Sequence, residues 1–214
     1  MVKKIFKAIK KEIDDHFFFI ISHYPESRMG TKIREYYFRI KLKGKLGKRA
    51  FISDMVIIFN HAPITIGDDF SIKRNSTIDP DDSFGIIIGN HVHIASGVYI
   101  RAANHVYDDI SKTFYVQGHK AKKVITNDGK EASIIIEDDV WIAANCVILT
   151  GTKIGKGSII GAGVVAFGDI PEYSIMVTTP GKIIGNRKTD PIKSKEYYKF
   201  SDEDWNKQCL KEKK

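Results

Sequence analysis

Isoleucine stands at 66, 72 and 78, again at 88, 94 and 100, and again at 136, 142, 148, 154 and 160, always six residues apart within a set. Two residues before these positions lies a second, usually apolar or small residue, among them Ile64, Phe70, Ile86, Val92, Val98, Ile134, Val140, Cys146, Thr152 and Ser158. Alternate residues of a strand point to the same side, so each such pair faces one interior. An α-helix would scatter a period of six around its surface. Sheets linked by hairpins would show turn chemistry between strands rather than one aliphatic residue kept in register. What remains is an all-β, prism-shaped coil in which each hexad is one short strand and a corner, three hexads close a turn, and turns stack as parallel strands about 4.8 Å apart. Glycine directly follows several isoleucines, at Gly67, Gly89, Gly155 and Gly161, where its backbone freedom is expected to serve the tight corner.

The period breaks twice. The step from Ile78 to Ile88 is ten residues, so 79–84 should bulge at a corner. Between Ile100 and Ile136 runs a long excursion carrying Asn104-His105, Tyr107-Asp108-Asp109 and Gln117-Gly118-His119, and long loops on a regular scaffold are where function concentrates. Before the coil, Val2, Ile5, Phe6, Ile9, Ile13, Phe17 and Ile20 recur at helical spacing with lysines opposite, an amphipathic helix. Such stripes are usually buried against protein, and a membrane surface is the other docking partner considered. Near the end, Ser201-Asp202-Glu203-Asp204 opens a short helix through Trp205. The expected organisation is a helical and extended segment over 1–50, the coil over 51–188 with an inserted loop at 103–133, and a basic tail over 189–214.

A chain of 214 residues supports one core with appendages. Its formal charge of +8 gathers near the ends; without an interleaved base-stacking motif, that points to an anionic substrate or a membrane face rather than to nucleic acid. Two cysteines, Cys146 and Cys209, are too few and too far apart for a disulfide scaffold or thiolate zinc site and fit a reducing cytoplasm. Cys146 falls on an interior position, as a core thiol. The run Phe17 to Ile21 is too short for a signal-peptide core or a membrane span. The expected location is the cytoplasm, with the inner membrane surface as a site of peripheral contact.

The hexad pattern is that of the left-handed parallel β-helix transferases. Asn104-His105-Val106-Tyr107-Asp108-Asp109, Gln117-Gly118, Ile136 through Asn145, Ile160-Gly161-Ala162-Gly163, Asp169-Ile170-Pro171 and Pro180-Gly181-Lys182 follow in the order seen in bacterial sugar O-acetyltransferases, and the chain resembles the branch that decorates capsule, exopolysaccharide or O-antigen. Met29-Gly30-Thr31-Lys32-Ile33-Arg34 resembles the segment preceding the coil in that branch. The resemblance implies a homotrimer with acetyl-coenzyme A between neighbouring coils, His105 as general base, and the backbone N–H of Ala144 as oxyanion donor. It further implies that Trp141, Ala143, Ala144, Gly161 and Ala162 line the cofactor groove and that Lys182 and Arg187 meet its phosphates. The chain departs from the family pattern at Phe167-Gly168, where a threonine-lysine pair is common, and at Gly185, where a basic residue is expected.

Acetyl transfer from a thioester to an alcohol needs a base, a donor to the developing oxyanion, and two aligned substrates. An imidazole is suited to the first task near neutral pH. Acceptor contacts are expected from Asp79, Asn104, Tyr107 and Lys73; the last stands where the resembling enzymes carry asparagine, which suggests an anionic acceptor such as a uronic or sialic acid unit. Three other readings stand beside this one. N-acetylation of a nucleotide-linked amino sugar or an antibiotic would use the same fold and base. A zinc enzyme like the carbonic anhydrases built on this coil would need a histidine pair that His91, His93 and His119 do not supply. A purely structural coil would leave the inserted loop without a purpose.

Overall fold

The computed structural model describes residues 2–43, 45–177, 182–186 and 188. All eleven register isoleucines are at most 2% exposed, and each lies directly over its counterpart one turn away. On the first face of the prism the column runs Ile52, Ile72, Ile94, Ile142, Ile160 and Met176. On the second it runs Ile58, Ile78, Ile100, Ile148 and Ala166, and on the third Ile66, Ile88, Ile136, Ile154 and Ile170. Leu46, bridged in parallel to Ile66, starts the third column one turn earlier. The i−2 residues are buried too, down to Thr152 and Ser158 at 0%. Burying one such aliphatic side chain is worth about 1.5–3 kcal/mol. The coil is therefore a single apolar axis enclosed by three parallel sheets, as in a left-handed β-helix. Lys182–Asn186 closes the first sheet, antiparallel to Ser174–Val177.

The expected role of the glycines that follow isoleucine is corrected. None of Gly67, Gly89, Gly155 and Gly161 has positive φ; the left-handed residue comes two positions later, at Asp69, His91, Gly157 and Gly163. The glycines are there for close approach instead. A Cβ on Gly67 would stand 2.6 Å from the Gly89 carbonyl, one on Gly155 2.5 Å from the Glu172 nitrogen, and one on Gly89 would strike the Asp138 carboxylate. That carboxylate accepts from the Asn90 N–H at 2.7 Å, and the Asn90 amide oxygen in turn accepts from the Asp68 N–H at 2.9 Å, so stacked corners are laced by side chain to backbone bonds.

Two helices precede the coil. The first, α1 (Val2–His23), covers the expected amphipathic segment. The second, α2 (Arg28–Lys41), is a helix the hydrophobic pattern did not show; Ser27 caps it by accepting from the Gly30 N–H at 3.0 Å. Its buried side is Gly30, Arg34 and Phe38, spaced four apart, and it covers the open end of the coil beside Phe51–Ile52. Phe18 joins the helices by packing on Tyr37 and Phe38. Of the expected stripe on α1, Phe17 also meets the Tyr37 ring, at 6.3 Å between centroids, while Ile9, Ile13 and Ile20 are exposed and the neighbouring Ile21 and Ser22 are buried. No helix among the described residues is long and apolar enough to cross a membrane. The expected C-terminal helix at Ser201–Trp205, together with Arg187 and Cys209, lies outside the described residues.

Candidate active site

The prism has three edges, and each candidate residue belongs to one of them. The first edge, between the first and second faces, stacks the corners 53–56, 73–76, 95–98, 143–146 and 161–164. It carries Lys73, Ala143, Ala144, Gly161 and Ala162, with Trp141 on the strand leading into it. The second edge, between the second and third faces, carries the bulge after Asp79 and the inserted loop with Asn104, His105 and Tyr107.

The inserted loop is built from two short antiparallel hairpins, Asn104–His105 with His119–Lys120 and Val124–Ile125 with Glu131–Ala132. Gln117 shapes the first: its amide oxygen accepts from the Asp109 N–H at 3.1 Å and its amide nitrogen donates to the Lys112 carbonyl at 3.0 Å. Lys112, paired with the Asp109 carboxylate at 2.7 Å, and Ser111 hold that carboxyl below the usual range. Gly118 takes positive φ, 73°, to turn the chain back so that His119 pairs with His105. His105 is exposed on this hairpin, and its ring lies 4.4 Å, centroid to centroid, from that of His119. The hairpin is tied to the coil through Asp81, whose carboxylate is 3.4 Å from His119 Nδ1 and accepts from Arg101 at 2.8 Å. Arg101 also donates to Asp79 at 2.5 Å. Asp79 is therefore anchored in an ion pair, and the exposed Tyr107 and Asn104 flank His105.

On the first edge, Trp141 is half exposed and runs between His93 and Ile159. The Ala143 N–H donates to the Ile160 carbonyl at 2.8 Å and the Asn145 N–H to Ser96 at 3.0 Å. The Ala144 N–H between them has no partner among the described residues; the next corner follows closely, Gly163 N–H donating to the Ala144 carbonyl at 2.9 Å. Ala162 is exposed beside it. Lys73 lies on the same edge with its ammonium over the Phe51 ring, 4.0 Å from the centroid. Cys146 is fully buried and its thiol donates to the Gly161 carbonyl at 3.0 Å; burial pushes the thiol pKa up, as suits an interior residue. Lys182 is described by its backbone alone, opposite Val177. Among the described residues no three His, Cys, Asp or Glu side chains are grouped to hold a metal ion.

Within one chain the two sets are apart. Among the described residues no hydrogen bond or ring contact joins His105 to Trp141, Ala143, Ala144, Gly161 or Ala162. The second face separates the edges by about five residues of extended chain, roughly 16 Å at the rise of a strand. Sequence reasoning weighed His119 only as a metal ligand and passed over Arg101. The signal for Arg101 was its distance of 22 residues from Asp79, one turn plus the four-residue bulge, which sets the two side by side.

Residues 133–167 match the bacterial transferase hexapeptide family (six repeats), and residues 63–102 match the hexapeptide repeat of succinyl-transferase. The chain carries the hexapeptide repeats of these families and is similar to acetyltransferases built on them. It is 36% identical over 118 residues to a chloramphenicol acetyltransferase of Klebsiella aerogenes, covering 52% of this chain and 56% of the relative. It is 30% identical over 142 residues to a galactoside O-acetyltransferase of Lactococcus lactis, covering 65% and 61%. A hexapeptide-repeat-containing acetyltransferase of Vibrio cholerae, solved with acetyl-coenzyme A, superposes with a TM-score of 0.61 at 26% identity over 81% of this chain and 85% of that one. The chain spans between 44% and 61% of the length of the first curated relatives it matches.

Proposed function

We propose that the protein transfers an acetyl group from acetyl-coenzyme A to a hydroxyl of a sugar in a bacterial surface polysaccharide, in the cytoplasm, with His105 as general base. The observation that carries this reading is the pairing of an exposed imidazole on one edge of the prism with a backbone N–H, that of Ala144, that has no partner among the described residues, on another. In this scheme three copies pack so that the second edge of one chain meets the first edge of the next. His105 takes the proton of the acceptor hydroxyl as its oxygen attacks the thioester carbonyl. The Ala144 N–H donates to the carbonyl oxygen as it gains negative charge, and His105 returns the proton to the leaving thiolate. Trp141, Ala143, Gly161 and Ala162 wall the pantetheine path, small residues permitting close approach. Lys182 and Arg187 meet the phosphates. Asn104 and Tyr107 beside the base, Asp79 at the same edge and Lys73 from the neighbouring chain surround the acceptor, and the ammonium of Lys73 favours an anionic sugar. The galactoside O-acetyltransferase and the coenzyme-bound Vibrio structure support the reaction class.

Thiol release from acetyl-coenzyme A, measured with a panel of acidic glycans, neutral glycans, amino sugars and chloramphenicol, tests it. Turnover is expected with a sugar hydroxyl, falling by about a hundredfold or more in His105→Ala, the loss that removal of a general base produces. Equal turnover by the two proteins removes His105 from the mechanism. Turnover with amino sugars or chloramphenicol alone replaces the acceptor class, and a preference for neutral glycans removes the role given to Lys73.

A further inference from the structure

A base on a two-residue strand of an inserted loop lacks the rigid support that a coil strand would give. The His105 imidazole makes no hydrogen bond to a described side chain; what meets its ring is His119, directly across the hairpin. We propose that His119 is a positioning residue for His105, its ring lying against that imidazole while its Nδ1 faces the Asp81 carboxylate, so that the base is braced through His119 and Asp81 to the body of the coil.

The brace is continuous. Asp79 and Arg101 are register neighbours on adjacent strands of the second face. Arg101 donates to Asp79 at 2.5 Å and to Asp81 at 2.8 Å, and the Asp81 N–H donates to Asp79 at 3.0 Å. Both carboxylates are mostly buried, with side chains 11% and 14% exposed, so the assembly is more rigid than an exposed ion pair. Asp81 then faces His119 at 3.4 Å. A carboxylate beside one ring nitrogen of a histidine favours the proton on that nitrogen and fixes the ring plane. With His119 held, the ring packed against it has one orientation favoured over others, and a base held in one orientation avoids the cost of finding the reactive geometry at each turnover. The charges around the pair also suit a base that becomes a cation: Arg101 offsets one of the two carboxylates, Asp79 and Asp81, leaving one negative charge, while Lys120 and Asp108 on the hairpin face each other at 3.8 Å and offset one another.

This inference rests on His105 being the base, and the experiment keeps the two apart. Steady-state kinetics of the native protein, His119→Ala, His119→Gln and Asp81→Asn would be measured beside the relaxation of the His105 ring C–H in each. Loss of the group that orients a metal-ligating histidine typically costs about ten- to a hundredfold, and the same range is set for a base oriented in this way. His119→Ala is expected to lose kcat in that range with KM for acetyl-coenzyme A unchanged. His119→Gln, whose amide can donate to Asp81, is expected to retain more turnover than the alanine variant. Relaxation is expected to show the His105 ring ordered in the native protein and more mobile in His119→Ala and Asp81→Asn. A His105 ring equally ordered in all four proteins overturns the proposal, as does full kcat in His119→Ala. A native protein without turnover on any acceptor discards the acetyl-transfer reading instead, and ring order then decides by itself whether His119 braces His105.

Discussion

Arg34 carries a guanidinium into the junction between the helices and the coil, where it is 0% exposed. Burial lowers its pKa, and the carboxylates of Asp54 and Glu26 act against that shift. What holds the charge there is hydrogen bonding to carbonyls that have lost water: Nε donates to Ile52 at 2.8 Å and one terminal nitrogen to Tyr24 at 2.6 Å. Ile52 ends the first coil strand and Tyr24 follows α1, so one side chain ties three segments. The other terminal nitrogen has no hydrogen-bond partner among the described residues. Arg34→Met keeps much of the volume and leaves one buried carbonyl, Ile52, and one part-buried carbonyl, Tyr24, without this donor, each costing up to about 1–3 kcal/mol. The expected result is a loss of about 2–5 kcal/mol in urea unfolding, with Arg34→Lys recovering only part of it because an ammonium cannot present the same fork. An unchanged midpoint in Arg34→Met would show that water or the chain relaxes to satisfy both carbonyls.

At the scale of elements, the coil rests on rungs such as Ile142, enclosed between Ile94 and Ile160 and 0% exposed. Ile142→Ala removes three carbons from a close-packed axis whose backbone is fixed by bonds to both neighbouring turns, so the cavity cannot collapse. A loss of about 3–5 kcal/mol is expected by urea unfolding, at the upper end for such truncations; a loss below about 1 kcal/mol would mean that the turns close on the gap. The same rigidity is why the coil was legible from residues: a strand face can only stack on itself if one side chain recurs at one spacing, and Ile66 through Ile160 display that spacing openly. The bulge and the loop were legible as breaks in it. The second helix was not, because its buried positions are Gly30, Arg34 and Phe38, a pattern that hydropathy does not mark. The purpose of Gly67 and Gly89 was misread for a related cause. Sequence shows where glycine stands and cannot show which atom of the next turn a Cβ would meet. Likewise His105 stood out from its context, whereas His119 and Arg101 acquire a role only when the hairpin and the bulge bring them to Asp81.

For the molecule as a whole, the separation of His105 and Ala144 onto different edges decides what assembly the proposed reaction needs. A single prism holds the base and the oxyanion donor about one face apart, too far for one reacting carbonyl, and three prisms around a common axis would close that gap three times. Sedimentation equilibrium should then give a mass of three times 24.2 kDa. A complementation experiment tests whether the site is shared between chains. Ala144→Pro removes the N–H, and proline suits the place before Asn145, whose φ of 59° gives the corner its left-handed second residue. His105→Ala and Ala144→Pro should each be nearly inactive alone. After the two are unfolded together and refolded, mixed trimers contain interfaces in which an intact His105 from one chain meets an intact Ala144 N–H from another, and part of the native turnover should return. Recovery of activity in the mixture and its absence in either variant would establish a site shared between chains. Mixed trimers without activity, verified by mass, would mean that base and donor act within one chain, and the inserted loop would then have to reach across the second face to do so.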